Sequence, residues 1–233
     1  MSVLGKPLLG HLLDRVQLCP FIDEIVVAAP VSADNDCIEV YCQERGVLVF
    51  RGAEYDVLDR LLGACVWRDA QVGVMIFGDG PMIDPQIITE IVGTFLDTQT
   101  FDWVGNDLHT SWPSGMEVEA FRVKALAKAS DNCKDPEVRE HSTLCMRQDD
   151  VTYALHNVDP PPAFHRKDLS FEVDVDSDFQ VVKTLLESFE GRADLSLGEL
   201  ISFMDRYPDL ALSTRDIPRK WIKFRKSSGF EIK

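Results

Sequence analysis

The chain has little positive charge and no long apolar run. It contains 24 Lys and Arg against 39 Asp and Glu, a formal net charge of −15 over 233 residues. A surface of this sign repels phosphate polyanions, so we expect no nucleic-acid partner, and a small phosphorylated ligand would need a local basic pocket or a metal ion. No stretch approaches the about 20 apolar residues of a membrane helix. Because the apolar amino terminus carries Lys6, His11, Asp14 and Arg15, it does not resemble a secretory signal, and we predict a cytoplasmic protein with no membrane partner.

Several familiar site signatures are missing. The six cysteines show no CxxC spacing, so they predict reduced thiols and no structural zinc in a cytoplasmic protein. Gly5-Lys6 is followed by Pro7, which excludes a phosphate-binding GK[ST] loop, and no G-x-G-x-x-G is present. The four tryptophans are too dispersed to form a base-stacking platform.

The apolar pattern alternates along the chain between helical and extended periods, which predicts an α/β fold. We expect a mostly parallel sheet with helices on both faces, in one domain over residues 1–210 followed by a basic tail over residues 211–233. The predicted strands cover residues 24–29, 47–50, 72–77, 101–104, 116–121, 151–158 and 171–175. The predicted helices cover residues 7–18, 33–45, 56–67, 124–129, 136–146, 179–189 and 197–206, with one more that begins at Asp84.

The helix that begins at Asp84 has the clearest local signals. Asp84 suits the N-cap and Pro85 the first helical position. Ile83 and Ile88 stand where a hydrophobic staple would place them.

Ligands of open α/β sheets bind beyond the carboxyl ends of the strands, and two acidic segments follow predicted strands. The first is Gly78-Asp79-Gly80-Pro81, and the second runs from Glu172 to Asp178. Because Mg²⁺ prefers one or two carboxylates together with substrate phosphates, Asp79 and Asp174 form a candidate metal pair. The alternatives are a turn capped by Asp79 and a solvated acidic edge on which Asp176 caps the next helix. An EF-hand is excluded because its sixth position would be Phe179 instead of glycine.

The ordered motifs resemble the spore coat polysaccharide biosynthesis protein F family, which belongs to the cytidylyltransferases that also make CMP-sialic acid and CMP-Kdo. The resemblance covers roughly residues 4–208. The matching segments are Leu4-Gly5-Lys6-Pro7, Phe50-Arg51-Gly52, Asp56-Val57-Leu58-Asp59-Arg60, Gly78-Asp79-Gly80-Pro81, Pro113-Ser114-Gly115-Met116-Glu117-Val118-Glu119, Arg139-Glu140-His141 and Val173-Asp174.

This resemblance implies a Rossmann-like nucleotide-diphospho-sugar transferase fold over residues 1–210. It also implies a transfer of CMP from CTP to a sugar or sugar acid of a surface glycan, with release of pyrophosphate. Asp79 and Asp174 match catalytic, metal-binding aspartates that hold Mg²⁺ or Mn²⁺. Arg51, Arg60 and Gly78 match the nucleotide side. Residues expected on the sugar side are Asn106, Glu117, Glu119, Arg139 and His141, although Arg139 and His141 could equally be exposed helix residues.

The chain also departs from the family pattern. The family begins with a strand and a Gly/Arg/Lys-rich phosphate loop that residues 1–233 do not show, and Met75 and Ser170 replace arginines. We therefore expect a sheet without its central strand, exposed edges near Val26 and Val74, and weak binding of CTP.

Three functions stay open on the sequence alone. They are an active cytidylyltransferase with a further amino-terminal segment, a non-catalytic homologue that acts as a partner protein, and another sugar-nucleotide transferase with a metal motif at Asp174-Val175-Asp176. We also expect a homodimer, with Trp112 and Met116 as candidate contacts.

Overall fold

Strands and helices alternate through the computed structural model, which describes residues 1–109, 111–215 and 217. The strands are β1 (Ser2–Val3), β2 (Lys6–Pro7), β3 (Val26–Pro30), β4 (Leu48–Gly52), β5 (Val72–Ile76), β6 (Trp103–Gly105), β7 (Val118–Arg122) and β8 (Leu155–Asn157). The α-helices are α1 (Leu8–Val16), α2 (Asp36–Glu44), α3 (Val57–Trp67), α4 (Pro85–Thr98), α5 (Val123–Asn132), α6 (Pro136–Arg139), α7 (Leu144–Arg147), α8 (Asp176–Ser188), α9 (Leu197–Arg206) and α10 (Pro208–Arg215).

The central sheet is split into two parts. Strands β3 and β4 pair in parallel, from Val26 opposite Leu48 to Pro30 opposite Gly52. The other part has the order β5-β7-β6-β8. Among the described residues no backbone pairing joins β3 to β5, so each of these strands has a neighbour on one side only. The interruption expected near Val26 and Val74 is confirmed.

Strand directions in the larger part are mixed. Strand β7 runs antiparallel to both of its neighbours, β5 and β6, whereas β6 and β8 run in parallel. The α/β class with helices on both faces is confirmed, but parallel pairs do not dominate the described sheet. The long return from β6 to β7 and the direct passage from β7 into α5 allow β7 to lie between two strands of the opposite direction.

Helices cover both faces of the sheet with separate apolar layers. On one face, residues of α1, α4, α8 and α9 pack together, among them Leu12, Ile91, Leu185 and Leu200. On the other, α3, α5 and α7 pack around Trp103, with Leu58, Leu126 and Met146. Fully burying such side chains contributes about 1.5–3 kcal/mol each, which makes these two layers the main source of stability.

Two buried charged residues tie distant segments to this core. Arg15 on α1 is 1% exposed, and its guanidinium donates hydrogen bonds to the carbonyl oxygens of Ile83 (3.3 Å), Leu195 (3.0 Å) and Arg192 (3.2 Å). Asp84 accepts from the Gln86 N–H at 2.8 Å and from the Leu197 N–H at 2.6 Å. The predicted N-cap of α4 is confirmed, and the same carboxylate also caps the start of α9.

Several sequence expectations are wrong in detail. The segment 171–175 forms no strand, because the N–H of Phe171 bonds to Ser114 and the N–H of Val173 bonds to Asp79, in two different loops. The single helix predicted over residues 136–146 is broken into α6 and α7 at Ser142, whose φ is +42°. Strand β8 is shorter than the predicted 151–158 because a turn precedes it.

The carboxyl-terminal boundary at residue 210 falls inside a helix. Helix α10 continues to Arg215, and its Ala211 and Thr214 are buried. Residues 211–215 therefore belong to the folded domain, and most of the predicted basic tail lies outside the described residues.

The expectations for cysteine and for the dimer contacts also need correction. Cys133 and Cys145 form a disulfide, so not every cysteine is a free thiol; the break between α6 and α7 places the two side by side. Trp112 is 4% exposed and Met116 is 0% exposed. Both belong to the core, so neither is available as a contact between protomers.

Candidate functional site

A cavity of about 1180 Å³ separates the two parts of the sheet. Strands β3 and β5 contribute to its walls, and the helices around it are α1 and α4 on one face of the sheet and α3 on the other. The apolar lining residues include Leu12, Leu13, Val16, Val26, Val27, Leu61, Ala64, Val72, Val74, Ile76 and Val92. The cavity therefore occupies the gap in the sheet.

One end of this cavity is acidic. Five carboxylates line this end of the cavity. Asp79 follows β5, Asp107 follows β6, and Glu117 follows the turn at Gly115. Glu172 and Asp174 lie in the segment before α8. We call these five residues the acidic mouth. Asp79 follows β5, as the rule on strand ends predicts, whereas Asp174 lies in the loop before α8 and lines the same cavity.

The loops of Asp79 and Asp174 are held together by the backbone. The N–H of Val173 donates to the carbonyl oxygen of Asp79 at 2.8 Å. Asp178, which is 1% exposed, accepts from the N–H groups of Asp174 (3.0 Å) and Val175 (3.1 Å). Asp178 thereby fixes the start of α8 and the turn that carries Asp174.

Glycine is required where three loops of the mouth meet. A Cβ on Gly80 would lie 2.9 Å from the carbonyl oxygen of Gly115. Gly115 has a φ of +88°, and a Cβ there would lie 2.7 Å from the N of Glu172. The close approach of the three backbones leaves room for no side chain at either position.

Glu117 is held in an unfavourable environment for a charge. Burial raises its pKa well above the usual value, and the nearby carboxylates of Asp107 and Glu172 raise it further. One oxygen of Glu117 accepts from the Gly115 N–H at 2.7 Å. A proton or a bound cation would therefore stabilise this part of the mouth.

We expect Glu117→Gln to stabilise the protein at pH 8 and to lose that advantage near pH 4. A carboxyl with a raised folded-state pKa binds its proton more tightly in the folded protein, so its stability contribution is present at low pH and is lost as the pH rises from the unfolded pKa through the folded one. The glutamine keeps the acceptor for Gly115. Thermal unfolding at both pH values tests this, with the exposed Glu44→Gln as the control; an equal shift at both pH values would contradict it.

Arg147 brings a cation to the acidic mouth that the sequence motifs did not reveal. Its guanidinium donates to Asp107 at 2.7 Å and lies 3.5 Å from a carboxylate oxygen of Glu119. The other Glu119 oxygen accepts from the Thr143 hydroxyl at 2.6 Å, and that hydroxyl accepts from the Trp103 indole N–H at 3.1 Å. These partners stand far apart in the sequence, so no local spacing could indicate the network.

The structure divides the sequence-predicted site residues into two groups. Those that line the cavity are Asp79, Asp174, Gly78, Arg60, Glu117 and His141. Those that do not are Arg51, Asn106, Glu119 and Arg139. Roles for the first group remain predictions, and the second group has structural contacts that explain its position.

The second group is engaged within the fold. Arg51 donates to Glu39 at 2.6 Å and to the Pro30 carbonyl at 2.9 Å. Arg139 donates to Asp56 at 2.7 Å. Asn106, which is 2% exposed, donates to the Met116 carbonyl before β7 and accepts from the N–H of Val118, the first residue of β7. Glu119 is fully buried in the Arg147 network.

Arginines of the cavity wall also have protein partners. Arg60 donates to the backbone carbonyls of Ala28, at 3.2 Å, and of Ala53. Arg68 pairs with Glu24 at 2.5 Å. Within residues 1–109, 111–215 and 217, no group of three or more His, Cys, Asp or Glu is arranged to hold a metal by itself. Two carboxylates at the mouth suit a divalent ion that takes its remaining ligands from a substrate and water.

The chain belongs to the cytidylyltransferase family, whose sequence profile matches residues 1–201. It is 29% identical over 213 residues to an uncharacterized protein of Methanocaldococcus jannaschii, covering 91% of this chain and 86% of that protein. It is 27% identical over 210 residues to the spore coat polysaccharide biosynthesis protein SpsF of Bacillus subtilis, covering 88% and 85%. The expected family resemblance is thus confirmed.

Solved structures share the fold. A cytidylyltransferase from Leptospira borgpetersenii superposes with a TM-score of 0.86 at 23% identity, over 94% of this chain and 90% of that one. A CMP:2-keto-3-deoxy-manno-octonic acid synthetase complexed with CTP gives a TM-score of 0.61 at 16% identity, over 81% and 91%. These neighbours support the expected Rossmann-like nucleotidyltransferase fold. No helix in the described part of this chain is long and apolar enough to cross a bilayer.

Proposed function

We propose that the protein transfers CMP from CTP to a sugar or sugar acid in the synthesis of a surface glycan. The observation that carries this proposal is the position of Asp79 and Asp174 at one end of the cavity, joined through the Val173–Asp79 backbone hydrogen bond. The spore coat polysaccharide protein and the CMP-sugar synthetase among the similar proteins support the choice of substrates.

In the proposed reaction a hydroxyl oxygen of the sugar attacks the α-phosphorus of CTP and loses its proton to solvent. The bond between the α-phosphorus and the oxygen that bridges it to the β-phosphorus breaks, so that pyrophosphate leaves. Asp79 and Asp174 would hold Mg²⁺ or Mn²⁺, which neutralises phosphate charge when bound. Glu117, Glu172 and Asp107 supply acceptors for sugar hydroxyls at the same mouth. Arg147 keeps Asp107 oriented through their 2.7 Å contact.

The test is release of pyrophosphate from CTP and Mg²⁺ by the purified protein, measured with a panel of sugar acids and neutral sugars. We expect release that depends on both metal and sugar. Absence of release with every sugar, under conditions where a known cytidylyltransferase is active, would reject the proposal. The other nucleoside triphosphates serve as controls for the cytosine base.

A non-catalytic partner protein is the second candidate. It is favoured by the split sheet and by Met75, which stands in the cavity wall where the family resemblance implies an arginine. A metal motif at Asp174-Val175-Asp176 is less favoured, because Asp176 begins α8 and does not line the cavity. The homodimer is a prediction that light scattering tests, since the method measures the mass of the particle in solution. The cytoplasmic location is also a prediction.

A further inference from the structure

The cavity that holds the candidate site is lined by more acidic than basic side chains. Nine described residues around it are acidic; they are Asp23, Glu24, Asp69, Asp79, Asp107, Glu117, Glu140, Glu172 and Asp174. The bases are three arginines and one histidine, and no lysine in the described part of the chain lines the cavity. Each of the three arginines already donates to groups of the protein. A ligand therefore meets an excess of negative charge.

Glu117 has the least favourable surroundings for a charge at the acidic mouth. Burial and, after it, the neighbouring carboxylates of Asp107 and Glu172 raise its pKa. A positive charge placed among these three residues would offset their mutual repulsion and keep Glu117 ionised. The mouth is therefore suited to a ligand that carries a cation to this point.

An organic cation suits these three carboxylates better than a second metal ion. Among residues 1–109, 111–215 and 217, no three His, Cys, Asp or Glu are gathered so as to hold a metal, and the proposed reaction assigns its metal to Asp79 and Asp174. An ammonium group needs no closed ligand shell, because its three N–H donors can reach carboxylates on different sides. A protonated amine is the cation that fits this arrangement.

A buried hydroxyl is a second and independent sign of a polar ligand. Ser142 lines the cavity and is 1% exposed, and its Oγ has no hydrogen-bond partner in the described protein. A buried hydroxyl without a partner is unfavourable, and a ligand that carries hydroxyl groups would satisfy it.

The chain contacts around Ser142 place it beside the acidic mouth. The next residue, Thr143, donates to Glu119 at 2.6 Å. Arg147 then links Glu119 to Asp107, which belongs to the mouth. A ligand held by the mouth carboxylates therefore has the Ser142 hydroxyl on one side. The two features together call for a molecule with both an amine and hydroxyl groups.

We propose that the sugar in the reaction is an amino sugar, whose ammonium group binds among Asp107, Glu117 and Glu172 while one of its hydroxyls bonds to the Ser142 Oγ. This inference rests on the proposed transfer of CMP and names its substrate class. The bound amine stays protonated and has no lone pair for attack, so a sugar hydroxyl remains the nucleophile. A carboxylate on the sugar would instead add a negative charge to the mouth.

The first experiment measures sugar binding without CTP, by calorimetric titration of the full chain in the presence of Mg²⁺. The probes are the 2-, 3- and 4-amino derivatives of glucose and galactose, each compared with its parent sugar, its N-acetyl form and the corresponding uronic acid. We expect at least one amino sugar to bind about tenfold or more tightly than these three relatives, which corresponds to one charge-assisted hydrogen bond. This advantage should disappear at a pH above the pKa of the sugar amine.

Two variants separate the charge from the hydroxyl. Glu117→Gln keeps the acceptor for the Gly115 N–H, and it should weaken the amino sugar about tenfold but its parent sugar by less than about threefold. Ser142→Gly removes the hydroxyl and suits the local φ of +42°, and it should weaken both sugars equally, by about two- to tenfold. The exposed Glu44→Gln is the control and should change neither.

Pyrophosphate release from CTP with the same probes distinguishes this inference from the proposed function. Faster release with parent sugars or uronic acids than with every amino sugar would overturn the amino sugar and leave the transfer of CMP standing. Binding of an amino sugar without release from CTP by any sugar would reject the transfer and support the amine site. Absence of binding by every amino sugar at millimolar concentration, or unchanged amine affinity in Glu117→Gln, would overturn the inference.

Discussion

Replacing Asp79 with asparagine is expected to lower metal-dependent pyrophosphate release from CTP by a hundredfold or more. The change removes one of two carboxylates proposed to hold the divalent ion, and the loss of about 3 kcal/mol of transition-state stabilisation corresponds to that factor. The substitution is nearly isosteric. The backbone carbonyl of residue 79, which accepts from Val173, is retained.

The matched control is Asp97→Asn, because Asp97 is exposed on α4 and does not line the cavity. It should leave the rate and the melting temperature unchanged. A role in metal binding also predicts that the Asp79 variant needs a higher Mg²⁺ concentration for half-maximal rate. If the Asp79 variant kept more than half of the activity at the same Mg²⁺ concentration, the metal role of Asp79 would be wrong.

Replacing Arg15 with methionine is expected to destabilise the fold by about 3–5 kcal/mol. The methionine fills similar apolar space but leaves the carbonyl oxygens of Ile83, Leu195 and Arg192 without their buried donor. Burial already lowers the pKa of Arg15 to about 10, which shows how strongly this site is removed from solvent. For a domain of this size the melting temperature should fall on the order of 10 °C.

Chemical denaturation measures this change, with Arg68→Met as the control. Arg68 forms an exposed pair with Glu24, and solvent screening makes the contribution of such pairs to stability small. Equal destabilisation by both variants would mean that the buried carbonyl contacts of Arg15 contribute no more than a surface ion pair.

Local signals were sufficient where neighbours in the sequence determine the structure. Asp84 and Pro85 predicted the start of α4 because a cap and a first-turn proline act within one turn. The alternation around Val173 predicted a strand that does not form, because its hydrogen bonds go to two separate loops. The β-propensity of residues 171–175 accounts for their extended backbone, but it does not determine which segments accept their hydrogen bonds.

The candidate site shows the same limit of local sequence signals: some of its residues could be predicted from the sequence and others could not. Asp79 could be placed at a strand end because the apolar run of β5 predicts that strand by itself, whereas Asp174 lies in a loop before α8, and the strand predicted there does not form. Arg147 could not, since its partner Asp107 lies 40 residues away and becomes a neighbour only through the packing of α7. Arg139 ends α6 and pairs with Asp56, whereas His141 lies in the turn that follows and lines the cavity, and no local spacing indicated this difference.

The two hydrogen bonds of Asp84 give the protein a mechanical link between its middle and its carboxyl-terminal third. The start of α4 follows the Asp79 loop directly, and the start of α9 lies 113 residues further along, yet one carboxylate serves both. If α9 moved away, the buried carboxylate of Asp84 would lose the Leu197 N–H as a donor, close to the loop that carries Asp79. Opening of α9 is therefore energetically coupled to loosening of the acidic mouth, and the two regions are expected to unfold as one cooperative unit.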